Sequence, residues 1–170
     1  VEEMAALREC FSADRCRVLL FHNGDSFING SSILKLTCVH ESVVPGVSQT
    51  VMETQGILVS TIPQAVDFLP KFSRENPKPA IIHPPEITGC YYQSILEALG
   101  TQSEVIYPLY KGADVIGLLS LHYTTKKLEA SDISQDTLQQ RAAQIELLVN
   151  KHQKPNWLLQ SISPRFKWKR

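Results

Sequence analysis

The order of elements in this 170-residue chain predicts an α+β fold: a central antiparallel sheet of five to six strands flanked by helices, with the N- and C-terminal helices packed on one face. Three observations carry that expectation. Helical and strand patterns alternate irregularly rather than in a repeating strand–helix series, which disfavours a parallel doubly wound sheet. Residues 103–123 read as a hairpin, two apolar arms around Lys111-Gly112-Ala113-Asp114. Residues 15–41 hold two apolar strands joined by a polar, glycine-containing loop.

Taken in order, Val1, Met4, Leu7 and Phe11 recur at helical spacing and predict a short helix over residues 1–12. The stretch RCRVLLFH (15–22) is a strand, ended by Asn23-Gly24-Asp25. In ILKLTCVHE (33–41), Ile33, Lys35, Thr37 and Val39 fall on one face and Leu34, Leu36, Cys38 and His40 on the other. Residues 48–60 are expected to form a helix with Val51, Met52, Gln55 and Leu58 on one side. Pro63 suits the first position of another, burying Ala65, Leu69 and Phe72.

Ala80-Ile81-Ile82-His83 is a short strand stopped by Pro84-Pro85. YYQSILEAL (91–99) is a helix with Gly100 as its stop. Pro108, inside the first hairpin arm, argues for a sheet edge or a bulge. Asp132 is expected to cap the last helix, with Gln135 three residues on. Leu138, Ala142, Ile145 and Val149 give that helix one apolar face.

Composition bounds the function classes. Hydrophobic residues make up 43% and charged residues 20%, as in an ordinary globular domain. No apolar run approaches the roughly 18–20 residues of a membrane-spanning helix. Cys10, Cys16, Cys38 and Cys90 form no Cys-x-x-Cys pair, and free thiols in a reducing, cytoplasmic setting are expected. An apolar span upstream of Val1 would instead make the domain membrane-tethered. Net charge is zero, but all 17 acids lie in residues 1–150, whereas Lys151–Arg170 carries six basic side chains. The expected organisation is a domain over 1–150 and a basic aromatic tail over 151–170.

In residues 103–149, SEVIYPLYKGADVIGLLSLHY and a helix carrying Ala142-Ala143-Gln144-Ile145 resemble the end of a GAF domain. Ser103-Glu104, Pro108, Gly112 and Gly117 fall where that pattern places them, and DRCRVLLFHNG and LKLTCVHE resemble its first two strands. The resemblance covers roughly residues 1–150. It implies a non-catalytic sensory or regulatory module whose terminal helices often form a dimer bundle. It places any small-molecule ligand on the other sheet face, under Gly46 to Gly100. Chromophore-attachment, cyclic-nucleotide and sulfoxide-reducing signatures of the family do not match here, so ligand and cofactor identity stay open.

On that basis the expected ligand pocket runs from Glu53 to Tyr92, through His83, Cys90 and Tyr91, with Phe21, Tyr107 and Leu119 contributed by the sheet. Cys90, at a helix N-terminus, has the position of a reactive thiol. His22, His40, His83 and His122 sit near strand ends; they either bind metal with Cys90 or Glu41 or satisfy separate local hydrogen bonds. The tail interleaves Trp157, Phe166 and Trp168 with basic residues, which suits an anionic membrane, nucleic acid, a partner or self-docking surface, or a disordered chain end. The alternative function is a structural or assembly protein that keeps the fold without a ligand.

Overall fold

The computed structural model describes residues 2–26 and 32–152. Its sheet has six strands, β1 (Arg15–Ser26), β2 (Ser32–Val43), β3 (Ile57–Leu58), β4 (Ala80–Ile82), β5 (Ser103–Lys111) and β6 (Asp114–Tyr123). Their spatial order is β3-β2-β1-β6-β5-β4, and every neighbouring pair is antiparallel. Among the described residues three α-helices accompany it: α1 (Glu2–Cys10), α2 (Tyr91–Ala98) and α3 (Gln135–His152).

Two buried clusters lie on the two faces of the sheet, because strand side chains alternate. On one face, Met4 and Leu7 of α1 and Leu138, Ala142, Ile145 and Val149 of α3 pack against Cys16, Val18, Val105, Tyr107, Leu119 and Leu121. The terminal helices therefore share one face. On the other, Leu19, Leu36, Cys38, Ile106 and Leu118 meet Ile62, Ala65, Val66, Tyr92 and Leu96 from the long crossover between β2 and β5. Each fully buried leucine contributes about 1.5–3 kcal/mol.

Gly117 sits at the crowded centre. A Cβ there would lie 2.2 Å from the Leu19 carbonyl oxygen across the β1–β6 pair. Glycine is thus required by space rather than by backbone angle.

Pro108 fits both expectations. β4 pairs with β5 only as far as Ile106, so Pro108 lies beyond it, and a bulge follows between Leu109 and Tyr110. The Tyr110 N–H donates to Glu146 Oε1 of α3 at 2.8 Å.

The crossover departs from expectation. Residues 48–60 do not form a helix. Thr54 closes one turn onto Thr50 through both its N–H and its hydroxyl, Gly56 takes φ +63°, and Ile57-Leu58 pairs with β2 as β3. The stretch after Pro63 forms two separate 3-10 turns, Pro63–Ala65 and Leu69–Lys71. At the start of α3, Asp132 caps a 3-10 turn with Glu129, and Ser134 is the residue whose hydroxyl accepts the Thr137 N–H. A second departure concerns β2. A bulge at Val39 restarts the alternation, so Cys38 opposes Leu19 while His40 opposes Val18. Cys38 and His40 consequently face opposite sides, and Glu41 joins the Cys38 side.

Candidate functional site

Between the sheet and the crossover lies a small cavity. β1 supplies Arg17 and Leu19, β2 Leu36, β5 Glu104 and Ile106, and β6 Leu118 and Ser120. The opposite wall is Thr54, Ile57 of β3, Ala65 of the Pro63–Ala65 turn with Ile62 just before it, and Tyr92 and Ile95 of α2. The volume is ≈ 20 Å3, room for about one water.

The polar end of this cavity is a buried network. Glu104, 2% exposed, receives the Ser120 hydroxyl at 2.6 Å and the Tyr92 hydroxyl at its other oxygen. Arg17 Nη2 stands 3.6 Å from Glu104 Oε1 and 2.5 Å from His122 Nε2. Arginine only donates, so His122 Nε2 accepts, and its Nδ1–H points to Thr101 Oγ1 at 2.8 Å. Arg17 Nε has no acceptor among the described residues.

The titration behaviour follows. Burial and the Arg17 charge push the His122 pKa down to about 4, against the pull of Glu104, so the imidazole is neutral at physiological pH. Burial alone would raise Glu104. The charges of His122 and Arg17, with hydrogen bonds from His122 and Ser120, outweigh it and take its pKa to about 2. In that acid range His122 is already protonated and donates across 3.2 Å to Glu104 Oε1. Burial, then the Glu104 charge, raises the Tyr92 phenol well above its usual value.

A second buried ion pair lies beside the first. Arg15 Nε is 3.2 Å from Glu41 Oε1, both side chains 2% exposed. Glu41 also accepts the N–H groups of Thr50 and Val51 at 2.7 and 3.0 Å. Burial, then Arg17, lowers the Arg15 pKa. This pair ties the start of the crossover to the sheet.

Of the residues expected to line a pocket, Tyr92 does, holding Glu104. Phe21 packs, half-buried, against the same cluster without lining the cavity. His83 is buried and bonds Ser103 Oγ at 3.1 Å, and Ser103 has the strand parity opposite to Glu104, so His83 does not line the cavity. Cys90 caps α2, its Sγ accepting the Gln93 N–H and donating to the Ile87 carbonyl. Glu53 and Tyr91 are exposed, Tyr91 by 60%. Tyr107 and Leu119 belong to the opposite cluster with α1 and α3. Both faces of β5 and β6 are buried, so apolar alternation alone does not say which parity faces the cavity.

Arg17, Glu104, Ser120 and His122 escaped that expectation, although a signal existed. Arg15 and Arg17 interrupt an otherwise apolar strand at one parity, and Ser120 and His122 do so in β6. As for metal, His22 bonds Thr37, His83 bonds Ser103 and His122 bonds Thr101. No group of three metal-binding side chains gathers among the described residues.

The comparisons decide the family. The GAF domain model matches residues 2–149. This chain belongs to the GAF domain family. No curated protein sequence matches it. Solved structures share the fold. The blue-light-absorbing form of the Thermosynechococcus elongatus PixJ GAF domain superposes with TM-score 0.58 at 18% identity, covering 99% of this chain and 91% of that one. The phycoerythrobilin-bound GAF domain of a cyanobacterial phytochrome gives 0.57 at 17%, covering 88% and 84%. A domain of a proposed two-component sensor histidine kinase of Sinorhizobium meliloti 1021 gives 0.57 at 16%, covering 88% and 87%. At such identities the likeness extends to the fold alone. In this GAF domain no described helix is long and apolar enough to cross a membrane.

Proposed function

We propose that this GAF domain is a non-catalytic sensory or regulatory module, binding a small molecule between its sheet and its crossover and passing the bound state to α1 and α3. The observation that carries the reading is the cavity bordered by a charged, hydrogen-bonded network at one end and aliphatic side chains elsewhere. Convergent polar groups in an apolar hollow are the usual makings of a ligand site. The sheet supplies the route. β1, β5 and β6 present one parity to the cavity and the other to α1 and α3, and Arg74, midway along the crossover, pairs with Glu146 of α3 at 3.3 Å.

Size constrains the ligand. Drug-sized ligands occupy about 300–1,000 Å3, so a bilin such as that of the cyanobacterial neighbour does not fit this closed form. A compact ligand, admitted by movement of the crossover wall, is the reading we favour. We place the domain in the cytoplasm, in keeping with four free cysteines. The tail Lys151–Arg170, outside the described residues except for its first two, is the proposed contact to an anionic membrane or nucleic acid.

A second reading keeps the fold as an assembly domain, a homodimer or higher oligomer built through its helices. Leu147, 64% exposed on α3 near the exposed Ala143 and Leu148, favours it. Native mass spectrometry of protein purified from its own host, before and after denaturation, separates the two. A non-covalent small molecule lost on denaturation supports the sensor. A ligand-free species of defined oligomeric state sinks tight ligand binding and supports assembly.

A further inference from the structure

We infer that the ligand of this cavity is a compact neutral molecule: an apolar body of a few heavy atoms with a carbonyl-type acceptor directed to Arg17. The inference rests on the sensory reading above and names the chemistry of its site. Charge balance comes first. Arg17 and Glu104 face the same space as one positive and one negative charge, 3.6 Å apart, and His122 beside them is neutral at physiological pH. Arg15 and Glu41, next along the sheet, form a second balanced pair. An anion would be attracted by Arg17 and repelled by Glu104, and a cation the reverse. Either ion would also shed its water to enter a space walled mostly by Leu and Ile side chains, a cost no unbalanced protein charge offsets.

Hydrogen bonding comes second. Glu104 is already served by Ser120, Tyr92 and Arg17. The Arg17 Nε–H, on a side chain 3–4% exposed, has no acceptor among the described residues. A buried donor without a partner costs about 1–3 kcal/mol, more when charged, and a ligand acceptor recovers it. The missing group is therefore an acceptor, and a neutral one. Shape comes third. β3 has two residues, and the adjoining 3-10 turns, Val59–Thr61 and Pro63–Ala65, have three each and no side-chain caps. Such a wall opens at low cost compared with the central strands, which lets a molecule larger than one water enter without disturbing β1 and β6.

Three near-isosteric probes test this at pH 7.5: isobutyramide, isobutyrate and isobutyramidinium. The readout is methyl NMR of the wild-type domain, following Leu19, Ile106 and Leu118 against Leu138 and Val149 on the other face. The expected result is saturable shifts of the first set with isobutyramide, with at least about tenfold weaker binding of both ions. Ala65→Val, which fills the cavity from its wall, should abolish the shifts. The inference is overturned if either ion binds as tightly as the amide, if the amide moves only the second set, or if no probe shifts the cavity methyls. The sensory reading is judged separately by the mass-spectrometric experiment: a charged ligand recovered from the host would sustain it while sinking the neutral class.

Discussion

The His122→Gln variant tests the buried network most directly. The imidazole has no surface exposure, and its pKa falls from 6.5 to about 4 on folding. As pH drops through 6.5, the unfolded chain takes up a proton that the folded chain refuses until about pH 4. Acid therefore favours unfolding across that window, and the stability this group supplies is complete only above pH 6.5. At about 1.4 kcal/mol per pH unit, the loss between pH 7 and pH 4 is roughly 3 kcal/mol. Glutamine keeps an acceptor for Arg17 but does not titrate. The stability difference between wild type and variant should thus shift by roughly 3 kcal/mol in the variant's favour over that range. Urea midpoints at half-unit pH steps measure it. Carboxylates away from His122, such as Glu146, whose pKa burial raises, titrate in both proteins and cancel. Parallel stability curves, or an imidazole NMR titration near 6.5, would refute the buried neutral histidine.

Three further outcomes are expected. Gly117→Ala drives a methyl onto the Leu19 carbonyl and should cost at least about 2 kcal/mol in urea unfolding, with Ala at the exposed Gly112 turn as the milder control. Ser134→Ala should lower stability by about 1 kcal/mol and fray the first turn of α3 in hydrogen exchange, whereas an Asp132→Ala change should leave α3 protection intact. Tyr107→Phe removes a buried hydroxyl that has no partner among the described residues, so its thermal midpoint should match or exceed that of the parent; a loss of more than about 1 kcal/mol would show that the phenol has an acceptor.

What the sequence made legible was the part governed by local chemistry. Gly112 and Gly100 adopt the positive φ values expected of a turn and a helix stop. Leu138, Ala142, Ile145 and Val149 are buried along one side of α3. Pro108 and Gly117 were readable because each forbids something, a donor in one case and a side chain in the other. The crossover was less so. Its helical spacing over 48–60 lost to Glu41, whose carboxylate takes the N–H groups of Thr50 and Val51, and to the pairing of Ile57-Leu58 with β2, both tertiary effects. The site suffered in the same way. A single bulge at Val39 decides that Glu41 meets Arg15, and no local pattern announces a bulge. Tyr107 and Leu119 were assigned to the cavity because both faces of their strands look alike in sequence. The polar residues Arg17, Glu104, Ser120 and His122 marked the true parity.

The stretch of β5 beyond β4 has a consequence for the protein at high concentration. An uncovered strand edge invites another chain to add itself, and repeated addition gives fibres. Here Pro108 has no N–H to offer, and the Tyr110 N–H is occupied by Glu146 of α3. An incoming strand would find one donor missing and another already claimed by a helix of the same molecule. The carboxylate that joins α3 to the sheet thereby also shields the domain from polymerising along its own edge.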